Sequence, residues 1–203
     1  MAQTPKIIVG MAGGTASGKS TLARSLAESL GENCLLINHD RYYFDVANPV
    51  GHNYDAPEAL DNALLIEHIK LLKTGQSAPL PVYDFKTHSR SKEVEISTPT
   101  PVVIVEGILV LAIPELRSLF GLTVFVEASE SVRLERRIHR DLKKRGRTRD
   151  SVMAQYRKTV QPMHDVHVQP SATGVDLTLS GEGPIQEAKT SLITAIQPYF
   201  SAG

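Results

Sequence analysis

The nine residues GGTASGKST, Gly13 to Thr21, restrict this chain more than any other stretch. Gly13, Gly18, Lys19 and Ser20 match the pattern G-x-x-x-x-G-K-[ST]. Glycines at such positions let backbone N–H groups turn inward around phosphate oxygens, and the helix that follows presents its positive end to them. The surroundings agree. The apolar run KIIVG (6 to 10) precedes the motif, and Leu22, Leu26 and Leu30 follow at helical spacing before the C-cap residue Gly31. Lys19 is expected to reach the β- and γ-phosphates of a nucleoside triphosphate, and the Ser20 hydroxyl to ligate Mg²⁺. The predicted triphosphate-binding residues are thus Gly13, Gly14, Thr15, Ala16, Ser17, Gly18, Lys19, Ser20 and Thr21.

A strand–loop–helix unit needs further strands beside it, and the chain supplies them. CLLIN (34 to 38), VVIVEG (102 to 107) and LTVFVE (122 to 127) are continuous apolar runs, with a shorter strand expected near VDLTL (175 to 179). Helical patterns alternate with them over 58 to 73, 129 to 143, 150 to 161 and 185 to 197; in the first, Leu65, Ile69 and Leu72 form one stripe. Continuously apolar strands alternating with helices predict an α/β fold with a parallel sheet covered on both faces. Residues 80 to 97 differ: PLPVYDF and KEVEIS alternate around a polar tip, which predicts an inserted β-hairpin.

At 203 residues the chain is read as one domain, long enough to bury about 70% of its unfolded surface without metal or disulfide support. Its single cysteine, Cys34, lies in an apolar run and is expected to be a buried, reduced thiol, which fits a cytoplasmic protein. The start, MAQTPKIIVG, has no long apolar stretch, and no run reaches the length of a membrane span, so no membrane partner is expected. Lys plus Arg and Asp plus Glu both number 22, so no global field draws the chain to nucleic acid.

Among nucleotide-binding classes, a GTPase is disfavoured because neither N-K-x-D nor D-x-x-G occurs. LSGEG (179 to 183) resembles a transport-ATPase signature without its final glutamine, and is read as a strand-end turn. A small-molecule kinase needs a carboxylate near the acceptor hydroxyl and another near the metal. Asp40 follows CLLIN by two residues and Glu106 closes VVIVE, so both lie at carboxyl ends of strands, where open α/β sheets bind ligands. Each taken alone could equally cap the segment after it.

Arg133, Arg137, Arg140 and Lys144 share one helical face, beside an apolar stripe of Leu134, Ile138 and Leu142. With KKRGR this makes a basic segment, about 140 to 150, in which arginine outnumbers lysine over 133 to 149. Guanidinium forks suit phosphate oxygens, so a lid over the triphosphate is preferred to a solvated face or an RNA patch. HDVH, His164 to His167, has metal-ligand spacing but no third ligand, and is read as a polar helix end.

Six blocks in one order, GGTASGKST, HDRYY, NYDAPEALD, PVYDFKTHSR, VIVEGILV and RRIHRDLKKRGR, resemble the uridine kinase (uridine-cytidine kinase) family, from about Lys6 to about Pro170. The resemblance implies a P-loop kinase fold with a five-stranded parallel sheet, a β-hairpin and a basic lid, assembled as a homotetramer. It implies transfer of the γ-phosphoryl group of ATP to the 5′-hydroxyl of uridine or cytidine, in pyrimidine salvage. Carried onto this chain, it makes Asp40 the base that takes the hydroxyl proton and helps bind Mg²⁺, with Ser20 and Glu106 completing the metal surroundings. Tyr43 would lie beside the nucleoside, and Asp55 with Arg137 would hold the ribose hydroxyls. Tyr83 and His88 would contact the pyrimidine edge, Phe85 would wall it, and Gln155 would approach the same pocket. Arg140, Arg145 and Arg147 would join Lys19 around the phosphates.

The chain departs from the family in two places. The segment between Tyr43 and Asn53 is short, and after Pro170 the sequence keeps Asp176 but has Ala172 where a lysine is usual. The competing readings are a phosphoribulokinase-like or pantothenate-kinase-like enzyme, and a catalytically idle nucleotide- or RNA-binding regulator. The aromatic and histidine side chains of the hairpin oppose the former, and the pair Lys19 and Asp40 opposes the latter.

Overall fold

The six residues of β1 (Ile7–Ala12) are all buried, as a strand with neighbours on both edges and helices on both faces must be. The structure is a computed structural model that describes residues 4–47 and 52–201. The phosphate loop follows β1, and α1 (Lys19–Leu30) ends at Gly31, with φ 55°. β2 (Cys34–Asn38) leads into a short 3₁₀ turn, His39–Tyr42. After α2 (Asn62–Lys73) come the hairpin strands β3 (Ala78–Asp84) and β4 (Ser89–Ser97). The sheet resumes with β5 (Val102–Glu106), the single turn α3 (Pro114–Arg117) and β6 (Leu122–Glu127).

The main sheet has the order β2-β5-β1-β6-β7, where β7 is Leu177–Ser180, and every pairing in it is parallel. α1 and α7 (Ile185–Ile196) cover one face through Leu22, Leu26, Leu192 and Ile196. On the other face, Leu65, Ile69 and Leu72 of α2 pack with Val103 and Val105. The edge strand β2 is less covered than its apolar run predicts, and only Ile37 in it is fully buried. Cys34 is a half-buried free thiol whose pKa burial pushes up to about 12.

Element boundaries shift where a cap or a proline decides them. α2 starts at Asn62 and not at residue 58, because the Asp61 carboxylate accepts the Leu64 N–H at 3.1 Å as an N-cap. Pro57–Ala59 instead makes a 3₁₀ turn. α4 (Glu130–Arg145) continues beyond residue 143, leaving only 146 to 148 before α5 (Arg149–Gln155). Ile138 is buried as the stripe predicts, whereas Leu142 is exposed; the Lys144 side chain lies outside the described residues. The helical path does not stop at residue 161. It runs through a π turn (Tyr156–Val160), α6 (Gln161–Met163), a second π turn (His164–Val168) and a 3₁₀ turn (Gln169–Ala172). Each π turn ends two residues before a proline, Pro162 or Pro170, whose ring and missing N–H oppose a regular α ladder.

In the hairpin, the register shifts between Pro81 and Tyr83, where Pro81 has no N–H to give. β7 begins two residues later than expected, behind Asp176. The Asp176 carboxylate accepts Thr123 N–H at 2.8 Å and Thr123 Oγ1–H at 2.7 Å, which keeps its pKa low and aligns β7 on β6. No helix among the described residues is long and apolar enough to cross a membrane.

LSGEG is a strand-end turn, as predicted, but a closely packed one. A Cβ on Gly181 would lie 1.9 Å from the Ser17 carbonyl oxygen, so the end of β7 touches the phosphate loop backbone to backbone. Arg136 Nη1–H donates to the Gly181 carbonyl at 2.7 Å across the same contact. Gly181→Ala must force these backbones apart and is expected to destabilise the fold by about 1–3 kcal/mol, as overpacking does. An unchanged midpoint in urea denaturation would contradict this close approach.

Candidate active site

The chemistry-bearing residues gather at the carboxyl ends of β1, β2 and β5, where the strand order turns back on itself at β1. Gly18, the N-cap of α1, takes φ 104°, a conformation that a Cβ would penalise. Ala16 adopts φ 59°, so the loop also holds one non-glycine residue in the left-handed region. Lys19 is buried, and a cleft of ≈ 560 Å³ opens over Lys19, Ser20, Arg24, Asn38, Arg136 and Arg140. Arg136 had no assigned role in the sequence.

Glu106 is buried, and each of its carboxylate oxygens accepts one hydrogen bond. Its Oε2 accepts the Ser20 hydroxyl at 3.0 Å, and its Oε1 accepts Asn38 Nδ2–H at 2.8 Å. Asn38 was missed by the sequence reading although it stands opposite Glu106 in the parallel ladder. Its Oδ1 accepts the Asp40 backbone N–H at 2.7 Å, so one side chain ties both carboxylate-bearing segments together. Burial raises the pKa values of Asp40 and Glu106 above the ordinary carboxylate range, and the Lys19 ammonium opposes this at both. Arg145 and Arg140 add to that opposition at Asp40.

A group of aromatic rings stands near Asp40, which acts on both Tyr43 and Tyr83. Tyr43 and Tyr83 lie 5.6 Å apart between ring centroids, and Tyr43 and Tyr54 are edge-to-face at 5.5 Å. Tyr43 Oη–H donates to the Tyr54 carbonyl at 2.9 Å. The Tyr83 hydroxyl is buried with no partner among the described residues, and burial pushes its pKa up to about 12. His88 holds φ 54° at the hairpin tip, and its Nδ1 pairs with the Tyr54 hydroxyl at 2.9 Å. Tyr54, also missed, leaves Nε2 as the ring nitrogen of His88 that no described residue occupies. Phe85 packs edge-to-face on Tyr83 at 5.1 Å but is 54% exposed, outside this group. Residues 48–51 of the short acceptor-side loop lie outside the described residues.

Asp55 is buried, and its pKa is raised by burial and restrained first by Arg137. Arg137 donates from Nη1 to Thr15 Oγ1 at 3.0 Å and from Nη2 to Gln155 Oε1 at 3.1 Å, so α4 holds the phosphate loop and α5 together. Arg147 Nη1–H also donates to Gln155 Oε1. Arg140, Arg145 and Arg147 crowd with Arg137 around Asp141, a residue that the sequence reading passed over. Its only sequence signal was the i, i+4 spacing to Arg137 and to Arg145. Arg133 is buried against Gly14, and its Nη2 meets His164 Nε2 at 3.1 Å. His164 is thus a buried partner of Arg133 and Gln169, in keeping with a structural reading of HDVH. Among the described residues, no group of three or more His, Cys, Asp and Glu residues could hold a metal ion.

The chain is 40% identical over 201 residues to the uridine kinase of Clostridium novyi, covering 96% of this chain and 97% of that protein. It is 41% identical over 205 residues to the uridine kinase of Chloroflexus aurantiacus, covering 98% of each. The phosphoribulokinase of Rhodobacter spheroides superposes with a TM-score of 0.66 at 15% identity, over 91% of this chain and 75% of that one, which supports a shared fold. The family model described as Phosphoribulokinase / Uridine kinase family matches residues 8–184, and the chain belongs to that family.

Proposed function

We propose that the protein is a nucleoside kinase that transfers the γ-phosphoryl group of ATP to the 5′-hydroxyl of uridine or cytidine, releasing ADP and the nucleoside monophosphate. The observation that carries this reading is the aromatic group Tyr43, Tyr54 and Tyr83, with His88, gathered beside Asp40, on which Lys19 also acts. The names of the two relatives, which resemble this chain over nearly its whole length, point the same way.

In this reading Asp40 takes the proton of the 5′-hydroxyl as its oxygen attacks the γ-phosphorus. Lys19, Arg140, Arg145 and Arg147 stabilise the charge on the transferring group and on the departing ADP. Asp55, restrained by Arg137, accepts the two ribose hydroxyls, and a deoxyribose would leave that buried carboxylate short of a donor. The unpartnered Tyr83 hydroxyl supplies a polar contact for the nucleoside. Tyr54 gives His88 a way to meet both bases. When its hydroxyl donates to Nδ1, Nε2 carries the proton and donates to the uracil 4-oxygen. When it accepts from Nδ1, Nε2 accepts from the cytosine 4-amino group.

The oxygens of Ser20, Asp40 and Glu106 fit Mg²⁺, which binds through one or two carboxylates plus substrate phosphates and keeps several waters. When bound, that ion would supply positive charge to offset that of the phosphates. Assembly as a homotetramer, a cytoplasmic location and a place in pyrimidine salvage belong to the same reading. A sugar-phosphate acceptor is less well matched. It calls for cations on the hairpin, where Arg90 already donates to the Tyr42 and Tyr43 carbonyls and to Asp61.

The direct test incubates the protein with ATP, Mg²⁺ and a panel of nucleosides. UMP, CMP or both are expected, and phosphorylation of another acceptor with neither of these would overturn the reading. Asp40→Asn should lower kcat by about 10²- to 10⁴-fold, the range of general base catalysis, with ATP binding retained. Near-normal turnover would remove Asp40 from the base role. His88→Ala deletes one neutral hydrogen bond to the base, worth about 0.5–1.5 kcal/mol, so nucleoside KM should rise severalfold while ATP KM holds. Equal rises in both would make His88 a hairpin support.

A further inference from the structure

Asp141 is completely buried at the end of α4, yet four guanidinium groups surround its carboxylate. Arg140 Nε–H donates to Oδ1 at 2.9 Å, and Arg145 Nη1 stands 3.6 Å from the same oxygen. Arg147 Nη1 and Arg137 Nε approach Oδ2 at 3.5 and 3.9 Å. One carboxylate therefore faces four cations, and only the Arg140 contact has the length of a strong charge-assisted bond. Arg137 Nε is buried without a hydrogen-bond partner, and this arginine answers Asp55 as well as Asp141.

The helix end does not require this side chain. Gly146 takes the left-handed conformation, and its N–H bonds to the Asp141 carbonyl, as a C-terminal cap does. The carboxylate takes no part in that cap. Arg140 also lines the cleft above Lys19, and Arg137 reaches the loop through Thr15. The same guanidinium groups hold Asp141 and border the phosphate loop.

We propose that Asp141 is the positioning residue of the lid: an internal counter-ion that keeps Arg137, Arg140, Arg145 and Arg147 gathered before the triphosphate arrives and yields them in part to its phosphates. This rests on the kinase reading and adds to it. Without the carboxylate, the gathered cations repel one another and lose their shared aim. With it, they stand ready at the cost of competing with the incoming anion. Removing the charge should therefore affect binding and turnover in opposite directions.

The test compares the wild-type protein, Asp141→Asn and Asp141→Glu, using inorganic tripolyphosphate as the probe of anion binding by calorimetry and nucleoside phosphorylation as the probe of turnover. Asp141→Asn should bind tripolyphosphate tighter, by about tenfold for the loss of one nearby negative charge. It should also lower kcat about tenfold or more through misaimed arginines. Asp141→Glu, which keeps the charge, should return both part of the way. A folded Asp141→Asn protein with unchanged or weaker tripolyphosphate binding would overturn the proposal. Should that variant not fold, the arginine Nε–H NMR signals of the wild-type protein decide. The Arg140 signal, assigned through Arg140→Lys, should move when tripolyphosphate saturates the site, and a stationary signal would overturn the exchange. A wild-type protein that phosphorylates no nucleoside, with tripolyphosphate binding still tightened in Asp141→Asn, would refute the kinase reading and leave the counter-ion role standing.

Discussion

Everything at the site depends on the register in which β5 lies between β1 and β2. Glu106 stands opposite Met11 on one side and Asn38 on the other. That placement lets Ser20, at the start of α1, and Asn38, at the end of β2, bond the two oxygens of one carboxylate. Asn38 in turn holds the backbone of Asp40. A slip of one residue would turn Glu106 to the other face of the sheet and break both of its links. Parallel strands have no local hairpin to set register, so the buried pattern of β1 and β5 must do so.

The second constraint is the cost of burying charge. The chain is neutral in total, yet Lys19, Arg133, Arg137, Asp55, Glu106 and Asp141 are all buried near the same end of the sheet. Such groups persist where partners surround them. Lys19 offsets the buried carboxylates of the cleft, Arg133 is held by Ala128 and His164, and Asp141 answers four arginines. A cleft arranged this way is already polarised for an anionic ligand.

The hairpin is attached by the same means. Two strands alone are marginal in water, and most of β4 is exposed. Arg41 donates to the Pro81 carbonyl at 2.6 Å and pairs with Glu95, and Arg90 reaches back to the carbonyls of Tyr42 and Tyr43. Both arginines join the hairpin to the short segment that carries Asp40 and Tyr43. The acceptor side is thereby built as one unit with the proposed base.

Periodic and contiguous signals were readable from the chain alone. The phosphate loop, the runs 34 to 38 and 122 to 127, and the hairpin follow from glycine spacing, unbroken apolar stretches and alternation, all of which act between near neighbours. The carboxylates at strand ends were readable too, because a parallel α/β sheet puts its ligands there. The start of α2 and the length of the path after residue 149 were not, since a single cap and two prolines outweigh the apolar spacing. Asn38 and Tyr54 were invisible for a stronger reason. Each is an ordinary polar residue until folding sets beside it a partner far along the chain, Glu106 for Asn38 and His88 for Tyr54. Motifs reveal which groups a chain possesses, while the pairing of buried charges and hydrogen-bonding groups, set by packing, decides which of them act together.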